Sequence, residues 1–491
     1  MASGTNFFNK FTGAIKKKLL GHDHLDGHIV TGRTAVDMPE LPLAALNKTV
    51  VACHTGPGKG LTDISQEPDP PTDDVYFNRG SVIAGILDWH RPHPQADGLS
   101  VTLYEKQANS TSHHGDPIAD AFFLTARPNS CIMGLADGIN WGYKPRIAAR
   151  SALLGVVNHL NEKLFGSPSK PTNTQDIFHH ILLSFDEAQK RIIANEGTTT
   201  TLTVAMICEC LPNHHISSRW VLCSVSVGDS PCFLYQPDYG SVHEVTAAWH
   251  DGKGRDPRDS GGCLGTNVGN DPDLSNLICC LLPVREGDFI FITSDGISDN
   301  FDPVILKEAS AGSTSPTPTT QLYLPGAEPG NSSPTMPSVT PKQRQELLTE
   351  KMASVIKEKQ RRIEHMLTAQ DLVEALITHA KDVTEKKRTF LEHVWEETSD
   401  PKLSPNTRRT QERKLSQRSK TYSGKLDHTS IVAYQVGNLS VAEYNSPRRP
   451  SSQSTVQHLD DITDLDGVPR GRRREIFQRG LSQGSFNSVR Y

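Results

Sequence analysis

The stretch MGLADGINWG, residues 133–142, carries an acid out of an apolar segment. Residues 131–136 are mostly apolar and predict a buried strand, which Asp137 ends and Gly138 follows. Asp-Gly is a common turn dipeptide, so this pair alone indicates a turn. Other acids at the ends of other apolar strands would instead indicate a shared site.

Such acids recur along the chain. Beside apolar, strand-like runs lie Asp120 in ADAFFL, Asp229 in SVSVGDSPCFLY, Asp295 in DFIFITSDGISDN and Asp427 in GKLDHTSIVAYQV. An unpaired carboxylate there is costly to desolvate, and like charges cannot crowd together without a compensating cation. Because these are oxygen donors without Cys or His partners, a hard ion such as Mg²⁺ or Mn²⁺ is predicted.

Composition restricts the classes of protein that fit. Only 36% of the 491 residues are hydrophobic, with 37 Gly and 32 Pro, which favours one folded region with long disordered segments over three compact domains. A net charge of −5 argues against general nucleic-acid binding. Nine cysteines without CxxC spacing indicate buried thiols of a reducing compartment. No apolar run approaches the roughly 20 residues of a membrane span, so an intracellular, most simply cytoplasmic, location is expected.

The order of predicted elements defines the fold class. Strands are followed by two amphipathic helices, one around residues 147–164 and one around residues 177–192, and then by more strands. Because strands and helices do not alternate strictly, a layered α+β fold is predicted instead of a doubly wound parallel sheet.

The chain divides into a domain with two extensions. Residues 1–78 are predicted to be a largely disordered extension, and residues 5–20 combine recurring Phe with Lys as in a basic amphipathic helix. Such a helix would allow peripheral membrane contact or mitochondrial targeting, and a frayed basic terminus is the alternative. The domain covers 79–437, with a Ser/Thr/Pro/Gly insertion at 308–341 and a basic loop at 398–423. Residues 438–491 are predicted to be a disordered tail.

Six motifs in order give a specific resemblance. The series DAFF, ADG, GTTTTLTV, VGDSPCFLY, ITSDGISDN and GKLDHTSIV resembles the metal-dependent serine/threonine phosphatases of type 2C, the PPM family. The likeness spans roughly residues 79–437. It is greatest to the PTC7-like branch, where ADGVGGW, SDGLFDN and GKPDDIT stand in corresponding order, and to animal proteins with a PP2C-like domain.

The resemblance implies a fold and a set of roles. The family fold is a four-layer αββα sandwich, in which two antiparallel sheets are flanked by helix pairs. Asp120 would support a metal site formed by Asp137 (bridging two ions), Gly138 (through its carbonyl), Asp295, Asp427 and, for a third, weaker ion, Asp229. Two divalent ions about 4 Å apart can activate a water that attacks phosphorus directly.

The periphery of the motifs departs from the family pattern. Ala119 stands where many members have Glu, Ile139 where a His is common, and Asn140-Trp141 in a loop that is usually small. No phosphate-binding arginine precedes DAFF closely, since Arg79 and Arg91 are distant. Two functions therefore stay open: a metal-dependent protein phosphatase, or a weakly active or inactive domain that binds phosphoproteins or acts as a scaffold. In either case the expected partner is a phosphoprotein and not a nucleic acid.

Overall fold

The structure is a computed structural model. It describes residues 16–19, 28–31, 38–62, 82–108, 110–212, 218–246, 260–311, 337–398 and 417–440, together with residues 410 and 413. The described residues belong to one compact unit, Met1–Asn445, and a second unit, Ser446–Tyr491, lies outside them.

The described residues form five α-helices and 21 strands. The helices are α1 (Tyr143–Asn161), α2 (Thr174–Ala194), α3 (Asp295–Ser298), α4 (Pro341–Arg362) and α5 (Ala369–Thr398). The strands are β1 (Lys16–Leu19), β2 (His28–Thr31), β3 (Ala52–Gly56), β4 (Val82–Ile83), β5 (Ile86–Leu87), β6 (His90–Arg91), β7 (Ala96–Thr102), β8 (Ala121–Arg127), β9 (Ser130–Ala136), β10 (Thr199–Thr200), β11 (Leu202–Glu209), β12 (Trp220–Val227), β13 (Cys232–Gln236), β14 (Ser241–Glu244), β15 (Cys263–Val268), β16 (Asp271–Asp273), β17 (Ile278–Val284), β18 (Phe289–Thr293), β19 (Ser310–Ala311), β20 (Ser338–Val339) and β21 (His428–Gln435).

Two antiparallel sheets dominate the fold. The larger has the order β1-β2-β17-β12-β11-β9-β8-β3-β6 and the smaller β14-β13-β18-β21-β7. The strands β10, β15 and β16 form a third sheet, and two short pairs, β4-β5 and the parallel β19-β20, complete the topology. The fold is therefore mixed α and β with antiparallel main sheets, which confirms the predicted α+β class at this level.

Both faces of the large sheet are buried. Along β11, Val204 and Met206 join a hydrophobic cluster with α1 and α2, while Ala205 and Ile207 join a second cluster with residues of β13, β18 and β21. The opposite faces of those three strands pack against α4 and α5 in a third cluster. Because side chains alternate along a strand, each strand in the middle of the sheets contributes to two clusters.

The ordered domain begins earlier than the sequence predicts. Residues 38–62 fall in the predicted disordered extension, yet Met38 and Leu41 are buried and β3 pairs with β8. The segment shows no sustained periodicity because it combines extended backbone contacts, such as Leu43 N–H to the Thr172 carbonyl at 2.9 Å, with one five-residue strand. Periodicity detects longer elements than these.

Of the predicted basic helix at 5–20, the structure describes only Lys16–Leu19. These residues form β1, paired with β2, which in turn pairs with β17. A strand edge offers unpaired backbone groups, and pairing with it gives this stretch a β conformation in place of a helix. Residues 5–15 and 20 lie outside the described residues.

The remaining predicted boundaries are described in part. The charged run after the insertion forms α4 and α5, and α4 begins at a capping box of Thr340 and Gln343 with Pro341 at its first position. Residues 312–336 of the insertion, most of the basic loop and residues 441–491 of the tail lie outside the described residues. In the described part of the chain, no helix combines the length and the apolar composition that crossing a membrane requires.

Candidate functional site

The hairpin of β8 and β9 brings two of the predicted acids to the same end of the large sheet. In its register Ala121 pairs with Ala136. Asp120 precedes the first of these residues and Asp137 follows the second, so both carboxylates leave the sheet at the same edge. The run of apolar residues on either side fixes this placement, because both strands are buried over their full length.

Hydrogen bonds with Thr200 of β10 and with the next residue, Thr201, fix the backbone of Asp137. Its N–H donates to Thr201 Oγ1 at 3.0 Å, and its carbonyl accepts from Thr201 N–H at 2.9 Å and from Thr200 Oγ1 at 2.8 Å. A Cβ on the next residue, Gly138, would lie 2.7 Å from the Pro145 carbonyl oxygen and 2.8 Å from that of Ala119. Since both obstacles are backbone atoms, any side chain at Gly138 would require the backbone to move.

Two further acids come from the smaller sheet. In the pairing of β18 with β21, Thr293 lies opposite Ile431. Asp295 begins α3 just after β18, and Asp427 immediately precedes β21, so the register brings them to the same edge. Asp299, one turn beyond Asp295, is fully buried.

A lysine lies among these three acids. The Lys425 ammonium is 2.9 Å from Asp299 Oδ2 and 2.9 Å from Asp427 Oδ2, and it contacts Asp295 Oδ2 most closely. Burial alone would lower the pKa of Lys425, but the three carboxylates outweigh it and raise that pKa well above the usual value. The three carboxylates therefore favour the charged form of the Lys425 side chain.

Asp137 interacts with the other four predicted acids. Burial makes the largest contribution to raising the pKa of Asp137 well above its usual value. The charges of four other acids raise it further: Asp120, Asp295, Asp427 and Asp229. Asp229 follows β12 in the Gly-Asp-Ser loop and is buried. The structure thus brings together every acid that the motifs single out.

Asp120 has an unusual environment. Its carboxyl group is fully buried, and neither oxygen accepts a well-directed hydrogen bond within the described part of the chain. Burial and the charge of Asp427 raise its pKa to about 7, although the nearby hydroxyls of Ser430 and Ser294 act to lower it. A buried carboxylate whose oxygens accept no hydrogen bond would be stabilised by a neighbouring cation.

The oxygen donors of these carboxylates are of the type that binds a divalent cation, but in the described part of the chain their arrangement is not that of a metal site. Oxygen donors at buried strand ends are the ligands that Mg²⁺ and Mn²⁺ prefer. Among the described residues, however, no group of three or more His, Cys, Asp or Glu side chains is arranged to hold a metal ion. In the described site the Lys425 ammonium takes the central contacts with Asp295, Asp299 and Asp427.

The residues that depart from the family pattern border the site. Trp141, with 54% of its surface exposed, donates from Nε1 to Tyr104 Oη at 2.9 Å, and Tyr104 Oη donates to Asp427 Oδ1 at 3.1 Å. Burial lowers the pKa of His428 to about 4, so this imidazole is neutral at pH 7, and its Nδ1 accepts from Ala119 N–H at 3.3 Å. Trp141 is therefore linked to Asp427 through Tyr104, whereas the His428 side chain contacts the backbone of Ala119, the residue before Asp120.

The distant candidates for a phosphate-binding arginine are not near the acids. Arg91 donates to the Leu87 carbonyl at 2.6 Å and lines a cavity of about 390 Å³ with Lys48 and Arg127. Arg127 ends β8, seven residues beyond Asp120, so about 23 Å of strand separates this cavity from the acids. Arg79 lies outside the described residues.

Three residues of the site have no role assigned from the sequence: Tyr104, Asp299 and Lys425. Asp299 stands in the quoted motif ITSDGISDN, and Lys425 stands two residues before Asp427 in GKLDHTSIV. In an extended segment, residues two apart point to the same side, so Lys425 could have been placed beside Asp427. Tyr104 gives no sequence signal, because its contact depends on the path of the loop after β7.

These observations define the class of protein. It is a mixed α and β protein with antiparallel sheets and with acids gathered at one end of the strands. The chain is 38% identical over 288 residues to a PP2C-like domain-containing protein of Drosophila melanogaster. That match confirms the resemblance to the type 2C phosphatases, while the PTC7-like branch stays a prediction. The match covers 56% of this chain and 40% of the relative, so the chain spans about two fifths of that protein's length.

Solved structures give weaker similarities. The S. agalactiae serine/threonine phosphatase is 13% identical with a TM-score of 0.34, over 69% of this chain and 99% of that one. The Mycobacterium tuberculosis serine/threonine phosphatase is 11% identical with a TM-score of 0.30, over 69% and 97%. These likenesses are too weak to support an inference about the site. No family model matches the sequence.

Proposed function

We propose that this chain is a metal-dependent protein serine/threonine phosphatase, which hydrolyses phosphomonoesters with a metal-activated water. The observation that carries the proposal is the convergence of Asp120, Asp137, Asp229, Asp295 and Asp427, in which the strand registers bring the acids to one end of the sheets and the charges of the other four acids act on Asp137. The similarity to the Drosophila PP2C-like protein supports it. We further propose that the three hydrophobic clusters correspond to the interfaces of a four-layer αββα sandwich.

In this proposal Asp137, the Gly138 carbonyl, Asp295 and Asp427 hold Mg²⁺ or Mn²⁺ ions, with Asp229 at a third, weaker position. When bound, such ions supply a water of low pKa and neutralise charge on the phosphoryl group. The chain's own residues prepare the site. Thr200 and Thr201 fix the Asp137 backbone, and glycine at position 138 avoids a clash with the Pro145 and Ala119 carbonyl oxygens.

We also propose a surface that contacts the substrate. Trp141 is exposed and linked through Tyr104 to Asp427, and an aromatic side chain beside the acids supports contact with a phosphoprotein here. His428 is neutral at pH 7 and therefore adds no charge beside the acids. A phosphoprotein partner is proposed on this basis; membrane contact through residues 5–20 stays a prediction.

The second candidate is a weakly active or inactive domain that binds phosphoproteins. The contacts of Lys425 with three of the acids favour it, as does Ala119, which is fully buried where related proteins carry Glu. In that case the acids and Lys425 would form a stable ion cluster, and metal binding would be weak or absent.

The two candidates are separated by hydrolysis of an aryl phosphate with Mn²⁺, comparing wild type with Asp137→Asn and the matched control Asp288→Asn. Asp288 lies at the opposite end of β18 from Asp295. Loss of a ligand should exceed the roughly 10–100-fold effect of removing groups that only orient ligands. We expect a loss of about 100-fold or more for Asp137→Asn and little change for the control. Activity that is indifferent to Asp137→Asn would contradict the proposed site, and phosphopeptide binding without hydrolysis would favour the second candidate.

A further inference from the structure

The position of Lys425 has a consequence for metal binding. Its ammonium contacts Asp295, Asp299 and Asp427, and two of these are proposed metal ligands. Asp299 is fully buried and the Asp427 side chain is only 22% exposed, so water screens these charges poorly. Three carboxylates held this close repel one another, and a cation must lie among them.

The backbone of Lys425 is clamped beside the site. Lys425 N–H donates to Asn300 Oδ1 at 2.9 Å, and Asn300 Nδ2 donates to the Lys425 carbonyl at 2.9 Å. Asn300 Nδ2 also donates to the Gly296 carbonyl at 2.7 Å, which ties the clamp to α3. The two hydrogen bonds fix the backbone of Lys425, whereas the four-carbon stem of a lysine is flexible.

An ammonium and a divalent ion compete for the same oxygens. The ammonium satisfies the carboxylates with one charge and three N–H donors, and it cannot activate a water as a divalent ion does. A divalent ion that binds Asp295 and Asp427 must therefore displace this contact. The displaced side chain has room to leave, since it is 26% exposed.

We propose that Lys425 is a tethered competitor for divalent cations: its ammonium holds Asp295, Asp299 and Asp427 together in the metal-free protein and lowers the affinity of the site for metal. This inference rests on the proposed function, because it takes the competing ligand to be Mg²⁺ or Mn²⁺. The lysine thereby sets the metal concentration at which the site changes from an internal ion cluster to a metal centre.

The test is Mn²⁺ binding to the full chain, followed by the loss of the free-ion paramagnetic resonance signal. Wild type is compared with Lys425→Met, with Lys425→Arg, which keeps the charge, and with the control Lys387→Met. Lys387 is a neighbouring, partly buried lysine whose Nζ donates to the Gly424 carbonyl at 3.0 Å. We expect Lys425→Met to bind Mn²⁺ at least tenfold more tightly than wild type, and both other variants to bind within about threefold of it. Equal or weaker binding by Lys425→Met would overturn the proposal.

Thermal unfolding gives a readout that does not depend on activity. In EDTA we expect Lys425→Met to melt below wild type, because its carboxylates have lost their cation. Saturating Mn²⁺ should raise its melting temperature by more than it raises that of wild type. If Lys425→Met does not fold, Lys425→Gln, which keeps two N–H donors without the charge, is measured in its place. A melting temperature that responds to Mn²⁺ equally in wild type and variant would contradict the proposal.

Failure of this inference can be told apart from failure of the proposed function. Adding Asp137→Asn to each protein removes a proposed ligand other than the three acids that the Lys425 ammonium joins. If Mn²⁺ binds wild type and Lys425→Met equally and Asp137→Asn abolishes both, the metal site stands and the role of Lys425 is wrong. If neither protein shows Mn²⁺ binding that depends on Asp137, the metal-dependent function itself is wrong.

Discussion

The two ends of β8 bury opposite charges and compensate them differently. At one end, Asp120 leads into the group of acids, where the charged ammonium of Lys425 balances three carboxylates. At the other end, Arg127 is 1% exposed, and its guanidinium donates to Thr125 Oγ1 at 3.2 Å, contacts Asn161 Oδ1 and lies 3.6 Å above the Phe165 ring. Burial lowers the pKa of Arg127 to about 10.

The difference follows from the chemistry of the two groups. A guanidinium is delocalised and weakly hydrated, so neutral oxygens and an aromatic face can replace its water. Carboxylates are more strongly hydrated and, when several are brought together, need a positive charge. The arginine end therefore behaves as part of the core, whereas the acidic end depends on which cation is present.

Glycine substitutions should separate the two ends most strongly. Gly138→Ala places a methyl group 2.7 Å from the Pro145 carbonyl oxygen, and the backbone must move to relieve the overlap. We expect a loss of about 3 kcal/mol in the free energy of unfolding, measured with urea. Gly166 lines the cavity at the arginine end, and a Cβ there would come no closer than 3.8 Å to the Asn161 carbonyl oxygen. Gly166→Ala should be neutral or more stable by up to about 1 kcal/mol.

A Gly138→Ala protein within about 1 kcal/mol of wild type would show that the loop after β9 can yield, and that the acidic end is less rigid than described. Both substitutions add the same methyl group. The difference between their changes in unfolding free energy therefore measures local packing, and the general effect of replacing glycine cancels.

Removing the arginine should destabilise the protein without involving metal. Arg127→Met keeps much of the side-chain volume but loses two hydrogen bonds and the contact with Phe165. We expect a loss of about 2 kcal/mol in urea unfolding, equal in EDTA and in Mn²⁺. Arg91→Met, at a partly exposed residue of the same cavity, should lose less than about 1 kcal/mol. A Mn²⁺-dependent effect of Arg127→Met would break the distinction between the two ends.

The acids were predictable from the sequence because each adjoins an apolar strand, and strands that pair in register must deliver their ends together. Asp120, Asp137, Asp229, Asp295 and Asp427 were singled out by this rule together with the order of the motifs. Lys425 did not, because a long flexible side chain is assigned to solvent when no partner is known. The burial of Arg127 was not predicted either, because arginine is mostly exposed in proteins.

The early part of the domain was missed for a different reason. Residues 38–62 contain one strand of five residues and contacts made by backbone groups, and neither leaves a periodic pattern. Short segments that are ordered by tertiary pairing have weak local signals. The link from Trp141 through Tyr104 to Asp427 likewise depends on loop paths that no local rule specifies.

The two ends of β18 can also be compared, by measuring how stability depends on pH. Asp288 precedes this strand and Asp295 follows it. Asp288 is buried and accepts from Arg285 N–H at 2.8 Å, and burial raises its pKa to about 6. Between about pH 4 and pH 6 the native state therefore binds more protons than the unfolded state, so stability falls as the pH rises through this range.

Asp288→Asn should remove that part of the pH dependence. We expect the difference in unfolding free energy between pH 4.5 and pH 7, measured in EDTA, to change by about 1–2 kcal/mol in favour of the variant at pH 7. Coincident pH profiles for wild type and variant would mean that the Asp288 carboxyl group is better solvated than its burial indicates.

The smallest expected effect concerns the aromatic pair beside the acids. Tyr104→Phe removes the hydroxyl that donates to Asp427 and accepts from Trp141, while the edge-to-face contact of the rings, with centroids 5.1 Å apart, is kept. We expect a loss of about 1 kcal/mol in urea unfolding and greater quenching of tryptophan fluorescence by acrylamide, because the exposed indole of Trp141 loses its anchor. Tyr239→Phe removes an exposed hydroxyl that accepts from Arg285 Nη1 at 3.0 Å, and it should change neither quantity. Unchanged quenching in Tyr104→Phe would show that the ring contact alone positions Trp141, and the hydrogen-bonded link from the rim to Asp427 would then have no structural role.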